Sequence, residues 1–234
     1  MVRTFRLAEE VNDGMNNTPK IEAVIFDCDG TLVDSETLSL AVLVDFVAEF
    51  GLEIPHQEAL QEFAGNELSV VFRTIEERLE CPLPEDFMEN FRERQIAVLQ
   101  QDLQAIDGAH DLLASIRLPF CVASNAPINK IAVCLQTTGL DRHFAADRIF
   151  SAYEIEVWKP EPDLFLKAAH EIGVAPENCA VVEDSSFGIN AGLAAGMQVF
   201  AFDPHRSGST NDSGVRSIQH LDELKPFFTS SQQA

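Results

Sequence analysis

The feature that most constrains the fold is an apolar run that ends abruptly in two aspartates. Residues 21–26 are nearly all apolar, as in a β-strand that is covered on both faces, and they are followed by Asp27-Cys28-Asp29-Gly30. A glycine at this point lets the chain turn sharply. Two carboxylates crowded at the end of a buried strand reduce stability unless a cation or a proton relieves their repulsion. The stretch therefore predicts a buried strand with a charged site at its carboxyl end.

The second half of the chain alternates apolar runs with segments of helical periodicity. Strands are predicted at residues 118–123, 148–151, 179–182 and 197–202. Helices are predicted at residues 108–116, 128–138, 163–172, 187–195 and 222–228. Such alternation is typical of βαβ units, in which a parallel sheet carries helices on both faces. The sequence therefore predicts an α/β fold.

Residues 35–104 differ from the rest because they show helical patterns only. Helices are predicted at residues 36–50, 58–64, 67–80 and 85–101, with breaks at Pro55, at Gly65 and at Pro82 with Pro84. Asp34 and Ser35 precede the first of these helices and are residue types that cap a helix amino terminus. Since the block interrupts the chain between the first strand and the rest of the sheet, we expect an inserted all-α cap over the carboxyl edge of the sheet.

The predicted organisation has four parts. An α/β core takes residues 21–34 and 105–228, and the cap takes residues 35–104. Residues 1–20 are polar and lack the apolar centre of a secretion signal, so a flexible extension is expected there. A flexible tail is expected at residues 229–234.

Composition excludes several classes of function. The formal net charge is −22 and the isoelectric point is about 4.4, so the basic footprint of a nucleic-acid-binding protein is missing. No apolar run approaches the roughly 20 residues of a transmembrane helix. The five cysteines are an odd number without CxxC spacing, which favours reduced thiols in a cytoplasmic protein over disulfides or a zinc cluster. Nothing in the sequence demands a protein partner, and a monomer is expected.

Polar residues follow three of the predicted strands at the point where each strand ends. In chain order these residues are Asp27 with Asp29, Ser124 with Asn125, and Glu183 with Asp184. Because the carboxyl ends of parallel strands meet at one edge of a sheet, we expect them to form a single site. An isolated lysine, Lys159, lies between Trp158 and Pro160 just before a predicted helix, and it is a candidate member of the same site.

This set of side chains suits the handling of a phosphoryl group. Oxygen ligands of the kind that Mg²⁺ prefers come from the carboxylates of Asp27, Glu183 and Asp184 and from the carbonyl of Asp29. Ser124 and Lys159 offer a neutral and a cationic donor to phosphoryl oxygens. An aspartate can act as a covalent nucleophile through an aspartyl-phosphate. A second aspartate two residues later can protonate the leaving oxygen and then deprotonate water.

Four ordered motifs resemble those of the haloacid dehalogenase superfamily. They are Asp27-Cys28-Asp29-Gly30-Thr31, Ser124-Asn125, Lys159-Pro160 and Glu183-Asp184. The resemblance spans residues 21–202. It is to the branch of the superfamily that has a helical cap after the first strand. This branch includes β-phosphoglucomutase and the phosphosugar phosphatases, among them phosphatases of 6-phosphogluconate. It implies a Rossmann-like core with Asp27 as the nucleophile and Asp29 as the general acid/base. It also implies phosphate binding by Ser124, Asn125 and Lys159, and Mg²⁺ binding by Asp27, Asp29 and Asp184 with help from Glu183.

The sequence therefore predicts a Mg²⁺-dependent phosphatase that acts on small phosphorylated metabolites. A phosphomutase of the β-phosphoglucomutase type stays open as the alternative. That family carries a cap-side His where Ser39 stands here. It also carries an Arg after the cap glycine, where this chain has Asn66 and Glu67 after Gly65. These two departures from the phosphomutase pattern favour hydrolysis. A binding protein without catalysis is a third hypothesis, against which the complete motif set argues. Closure of the cap is expected to raise the pKa of Asp29 by desolvation.

Overall fold

The computed structural model describes residues 20–64, 66, 68–204, 211–212 and 214–229, and for residues 211–212 it describes the backbone alone. The predicted amino-terminal extension and carboxyl-terminal tail lie almost entirely outside these described residues. Gly65, where we predicted a helix break, also lies outside the described residues. The same is true of Glu67, which marks a predicted difference from the phosphomutases.

A seven-stranded sheet forms the centre of the described structure. The strands are β1 (Ala23–Phe26), β2 (Phe120–Ser124), β3 (Ile149–Ser151), β4 (Cys179–Glu183), β5 (Gln198–Phe202), β6 (Asn211–Asp212) and β7 (Val215–Ile218). Their spatial order is β3-β2-β1-β4-β5-β7-β6, and every pair is parallel except β6 with β7. The central strand β1 lies between β2 and β4, with Phe26 opposite Val122 on one side and Val182 on the other. The three strands whose ends carry the candidate site are therefore neighbours.

Ten α-helices accompany the sheet in the described part of the chain. They are α1 (Glu36–Ala48), α2 (His56–Phe63), α3 (Leu68–Leu79), α4 (Phe87–Asp102), α5 (Ala109–Ser115), α6 (Ile128–Thr138), α7 (Ala152–Ile155), α8 (Asp163–Ile172), α9 (Ser186–Ala194) and α10 (Lys225–Phe228). Short 3₁₀ turns lie at Asp141–His143, Ala146–Arg148, Pro176–Asn178 and Leu221–Leu224. None of the helices in the described residues is long and apolar enough to cross a membrane.

The sheet is buried on both faces, as its nearly continuous apolar strands require. Along β1, Val24 and Phe26 join an apolar cluster on one face of the sheet, whereas Ala23 and Ile25 join a second cluster on the other face. All four side chains are fully buried. This arrangement confirms the predicted α/β class with a Rossmann-like parallel sheet.

Helices α1–α4 pack around a third apolar cluster of their own. At its centre the rings of Phe46 and Phe87 stack with their centroids 4.5 Å apart. The two chain segments that join these helices to the sheet run side by side: the Asp34 amide donates to the Gln104 carbonyl at 3.1 Å, and the Ile106 amide donates to the Leu32 carbonyl at 2.9 Å. We call residues 35–104 the cap segment.

Four local predictions differ from the structure. Ser35 makes no capping hydrogen bond to α1, because its hydroxyl donates instead to Asp29. Strands β6 and β7 were missed, since β6 has only two residues and β7 shows no apolar run, with Ile218 alone of its four residues buried. The segment after β3, predicted as a loop, contains α7, and the last predicted helix is a 3₁₀ turn followed by α10. The strand and helix differences concern short elements, for which local sequence patterns are weakest.

Candidate active site

Asp27 lies at the carboxyl end of the central strand and is a buried carboxyl group. Its amide continues the sheet by donating to the Val182 carbonyl at 2.9 Å, which fixes the backbone at this position. The Lys159 ammonium donates to Asp27 Oδ1 at 2.5 Å. Burial raises the pKa of Asp27 to about 7; Lys159 opposes this rise, and the charges of Glu183 and Asp29 add to it. The site therefore holds a buried carboxyl group that is paired with one lysine and lies near two further carboxylates.

Lys159 is a buried cation held between two carboxylates. Its ammonium also donates to Glu183 Oε1 at 2.8 Å, and it lies 4.7 Å from the centroid of the Phe165 ring. The backbone of Lys159 is fixed by Asn125, whose side-chain oxygen accepts from the Lys159 amide at 2.9 Å. Burial alone would lower the pKa of Lys159, but Asp27 and Glu183 outweigh it and the pKa is raised. Lys159 is therefore a permanent positive charge beside the nucleophile candidate.

Glu183 has contacts that differ from those of a metal ligand. One oxygen accepts from Lys159, and the other accepts from the Ser185 amide at 2.8 Å and the Ser185 hydroxyl at 2.9 Å. Gly188 provides the space for this carboxylate, because a Cβ atom at that position would lie 1.7 Å from Glu183 Oε1. These contacts place Glu183 beside Lys159, and the predicted role of Glu183 in assisting Mg²⁺ stays a prediction.

Asp29 follows two residues after Asp27, beyond the start of the turn that Gly30 makes with φ +83°. Its Oδ1 accepts from the Ser35 hydroxyl and, at 2.8 Å, from the Lys130 ammonium. Burial would raise the pKa of Asp29, but the charge and hydrogen bond of Lys130, with the Ser35 hydrogen bond, lower it overall. Desolvation thus acts in the expected direction, but the buried cation paired with the carboxylate outweighs it, and the effect of cap closure on this pKa stays a prediction.

Asp184 faces the same turn from the end of β4. Thr31 donates from its hydroxyl to Asp184 Oδ1 at 2.8 Å. A Cβ atom at Gly30 would lie 2.1 Å from Asp184 Oδ2, so only glycine lets the two segments approach this closely. Burial and the negative charges of Glu183 and Asp27 raise the pKa of Asp184 well above its usual value.

Ser124 ends β2 and is buried beside this group of residues. Its hydroxyl oxygen accepts from the Ala126 amide at 3.1 Å. No acceptor for its hydrogen occurs among the residues described, so the hydroxyl retains a donor for a ligand. Asn125 uses its side chain to bind both backbone groups of Lys159 and so acts on the site indirectly.

Sequence reasoning missed three contributors to this site: Thr31, Ser35 and Lys130. Thr31 lies in the turn after β1 and Ser35 immediately precedes α1, where hydroxyl residues are common, so neither residue was marked by the sequence as part of the site. Lys130 did offer one, because it lies in the first turn of α6, where a positive charge is disfavoured by the helix dipole. A cation in that position needs an anion nearby.

The family of the protein follows from comparison with known sequences. The sequence model of the haloacid dehalogenase-like hydrolases matches residues 24–202. The chain belongs to this family. The predicted superfamily is thereby confirmed, and the match covers every residue of the site described above.

Individual haloacid dehalogenase-like proteins resemble the chain over most of its length. The 6-phosphogluconate phosphatase of Escherichia coli is 38% identical over 208 residues, which cover 88% of this chain and 93% of that enzyme. A haloacid dehalogenase-like protein of unknown function from Agrobacterium tumefaciens has a TM-score of 0.75 at 31% identity, covering 88% of this chain and 96% of that one. A family hydrolase from Deinococcus radiodurans, solved with bound phosphate and sodium, has a TM-score of 0.72 at 28% identity and covers 90% and 99%. The prediction that the protein is an enzyme of the phosphatase class is confirmed by these relationships.

The donor set of this hydrolase fits a hard divalent cation held by few protein ligands. No group of three or more His, Cys, Asp or Glu side chains is arranged to hold a metal within the described ranges. Both Glu183 oxygens accept from protein donors, whereas Asp27, Asp29 and Asp184 each use one carboxylate oxygen in this way. The carboxylates of Asp27 and Asp184 and the Asp29 carbonyl are oxygens that could hold the cation. Mg²⁺ is commonly bound by one or two carboxylates together with waters and substrate phosphate, so this smaller set suits it.

Proposed function

We propose that this protein is a Mg²⁺-dependent phosphatase that hydrolyses small phosphorylated metabolites, in particular sugar phosphates such as 6-phosphogluconate, through an aspartyl-phosphate on Asp27. The observation that carries the proposal is the buried pairing of Asp27 with Lys159 at 2.5 Å on the central strand. Phosphoryl transfer needs a nucleophile and a positive charge held close together, and here the sheet backbone fixes the carboxylate beside a lysine whose pKa is raised.

In the first half of the reaction, a carboxylate oxygen of Asp27 attacks phosphorus while the bond from phosphorus to the ester oxygen breaks. The electron pair of that bond stays on the leaving oxygen, which takes a proton from Asp29. Lys159 and Ser124 donate to the phosphoryl oxygens on which charge accumulates. In the second half, water attacks the aspartyl-phosphate, Asp29 accepts the proton of that water, and inorganic phosphate is released with Asp27 regenerated.

Asp29 begins this cycle ionised, because its pKa is lowered by Lys130 and Ser35. The proton that it donates therefore arrives with the substrate, and the proton that Asp29 accepts from water leaves with inorganic phosphate before the next cycle. A phosphate monoester releases its second proton near pH 6, so part of the substrate carries one at neutral pH.

The charge of the site supports a divalent cation held by Asp27, Asp184 and the Asp29 carbonyl. The carboxyl groups of Asp27, Asp29, Glu183 and Asp184 face only two described cations, Lys130 and Lys159. When all are ionised the site carries two excess negative charges, which repel a phosphate dianion. A bound Mg²⁺ supplies Lewis-acid stabilisation of the transferring phosphoryl group.

The substrate class follows from two lines of support. The Escherichia coli relative that is 38% identical is a 6-phosphogluconate phosphatase. We place the cap segment over the carboxyl edge of the sheet, because α4 packs against α6. A cap in this place would exclude bulk water and contact the part of the substrate distant from phosphate. We place the enzyme in the cytoplasm, because all five cysteines are free thiols and four of them are buried. A monomer needs no further partner for this chemistry.

The test is phosphate release from a panel of phosphorylated metabolites that includes 6-phosphogluconate and β-glucose 1-phosphate, with Mg²⁺ and with EDTA. We expect Mg²⁺-dependent release from one or a few sugar phosphates. Asp27→Asn is expected to abolish release, and an Asp27→Asn enzyme with normal turnover would exclude the aspartyl-phosphate.

The same panel examines the phosphomutase alternative. Ser39, which stands where the β-phosphoglucomutase family carries a histidine, donates to the Ser35 carbonyl at 2.6 Å and accepts from Gln95 at 2.7 Å. Position 39 therefore lacks the imidazole that the β-phosphoglucomutase family carries there, and its hydroxyl is already used in two hydrogen bonds within the protein. Formation of glucose 6-phosphate from β-glucose 1-phosphate with little phosphate release would reverse the choice.

A further inference from the structure

Lys130 is a second lysine at the catalytic edge of the sheet, and the function proposed above gives it no role of its own. Its ammonium lies 2.8 Å from Asp29 Oδ1, and its side chain is 15% exposed. We propose that Lys130 is a positioning residue that, together with Ser35, orients the Asp29 carboxyl group so that its other oxygen, Oδ2, exchanges the proton of the leaving group. This inference rests on the proposed function, since it assumes that Asp29 is the general acid.

The position of Lys130 has no local explanation. It is the third residue of α6, where the helix dipole disfavours a cation. Its long side chain is largely buried, and a buried ammonium needs an anionic partner. Among the described residues, Asp29 is the carboxylate that supplies this partner. The pair therefore links the first turn of α6 to the loop that follows β1.

Two donors from separate elements converge on a single oxygen of Asp29. Ser35 reaches Oδ1 from the residue before α1, and Lys130 reaches the same Oδ1 from α6. Two such bonds fix both the position and the plane of a carboxyl group, because each donor restricts a different direction. A carboxylate held by one bond alone retains a rotation that would move Oδ2.

Oδ2 is the oxygen that this arrangement leaves for the reaction. No donor reaches Oδ2 among the described residues. Every fully buried side-chain oxygen in the same part of the chain has a hydrogen-bond partner, so an unpartnered Oδ2 is one that solvent or substrate can reach. In the reaction, Oδ2 first takes the proton that the phosphate monoester brings. This Oδ2–H bond then breaks, its proton bonds to the leaving oxygen, and the electron pair of the broken phosphorus–oxygen bond remains on that oxygen. Lys130 takes no part in these bonds and acts only through Asp29.

A positioning role predicts a specific dependence on the leaving group. An alkyl leaving oxygen, as in a sugar phosphate, is strongly basic and needs the proton from Asp29, whereas p-nitrophenolate departs without one. The value of kcat/KM reports the steps up to departure of the leaving group, so it isolates this half of the reaction. A lysine that binds phosphate would instead affect both kinds of substrate equally.

The experiment measures kcat/KM with Mg²⁺ for 6-phosphogluconate, or the best alkyl phosphate of the panel, and for p-nitrophenyl phosphate. We expect Lys130→Met to lower the alkyl value about 10- to 100-fold and the aryl value less than about threefold, as for partial loss of a general acid. Lys130→Arg, which keeps a cationic donor, is expected to regain most of the loss. Lys167→Met is the matched control, because Lys167 pairs with Glu171 on the exposed face of α8, and both values should be unchanged.

Equal losses on both substrates would overturn the proposal, and so would no loss on either. If Lys130→Met fails to fold, Ser35→Ala and Lys130→Arg carry the test with the same pair of substrates, and an unchanged ratio of the two values in Ser35→Ala would overturn the shared positioning role. Failure of the proposed function is a separate result, because the unmodified protein would then release phosphate from neither substrate.

Discussion

Arg92 of the cap segment donates to the hydroxyl of Tyr153 in α7 at 2.5 Å, and its guanidinium lies 5.3 Å from the centroid of the Tyr153 ring. Tyr153 in turn packs edge-on against Trp158, with ring centroids 5.5 Å apart. Trp158 is the residue before Lys159. This row of contacts joins the cap segment to the lysine that holds Asp27.

Arg92→Ala is expected to raise KM about two- to fivefold, because a cation–aromatic contact at an exposed site stabilises the closed cap by about 0.5–1 kcal/mol. The chain contains one tryptophan and one tyrosine. Because Trp158 packs against Tyr153, the fluorescence emission of Trp158 should also change when the contact between Arg92 and Tyr153 is lost. Arg94→Ala is the matched control, since Arg94 lies in the same helix but pairs with Glu49 within the cap segment. Identical behaviour of the two variants would show that Arg92 does not hold the cap.

Gly188→Ala is expected to lower both activity and stability. The added Cβ would lie 1.7 Å from Glu183 Oε1, so the buried carboxylate must leave Lys159 or the backbone must shift. Overpacking of this kind costs about 1–3 kcal/mol in the free energy of unfolding. Gly139→Ala provides the comparison, because its φ is +69° and nothing lies within 4 Å, so it loses stability through backbone strain alone and keeps activity. Normal kcat in Gly188→Ala would contradict the role given to Glu183.

Mg²⁺ is expected to raise the midpoint of thermal unfolding. The cation would bind the folded site and relieve the repulsion that raises the pKa of Asp184. At a concentration 100 times the dissociation constant, such binding adds about 2.7 kcal/mol to the free energy of unfolding, which corresponds to a rise of roughly 5–10 °C for a chain of this size. Asp184→Asn should lose most of the rise, whereas Glu171→Gln on the surface of α8 should keep it. If the midpoint of thermal unfolding of the unmodified protein does not change when Mg²⁺ is added, this result would argue against the metal site.

In EDTA, the contribution of Asp27 to stability is expected to fall as the pH rises from about 4 to about 7. The pKa of Asp27 is about 7 in the folded protein and 3.8 when unperturbed, so within this window the folded state holds a proton that the unfolded state has released. The contribution is full below the unfolded pKa and is lost as the pH passes the folded pKa. At 1.36 kcal/mol per pKa unit, the loss is at most about 4 kcal/mol.

The measurement for this prediction is the free energy of unfolding in urea at several pH values, for the unmodified protein and for Asp27→Asn. The difference between the two isolates Asp27 from the other carboxyl groups. A difference that does not vary between pH 4 and pH 8 would mean that the pKa of Asp27 is not raised.

Much of the site was predictable because its main residues are marked by local patterns. Asp27, Ser124 and Glu183 or Asp184 each stand where an apolar strand turns polar, and the geometry of parallel sheets brings such ends together. Lys159 was predictable from its motif. The contacts within the site were less predictable: Glu183 accepts from the Lys159 ammonium, and Asn125 binds the Lys159 backbone. The roles expected for both residues toward ligand or metal stay predictions.

The sequence by itself determined the α/β class, the position of the helical insertion and the identity of the residues at the strand ends, because hydrophobic periodicity and strand-end polarity are properties of neighbouring residues. Only the tertiary structure decided that Lys130 and Ser35 meet on Asp29 Oδ1, that Thr31 binds Asp184, and that Arg92 reaches Tyr153. Three of these four contacts join residues 61 to 153 positions apart. Their charges and hydrogen bonds depend on distance in space, which no local pattern encodes, and for the same reason the lowered pKa of Asp29 could not be read from the residues around it.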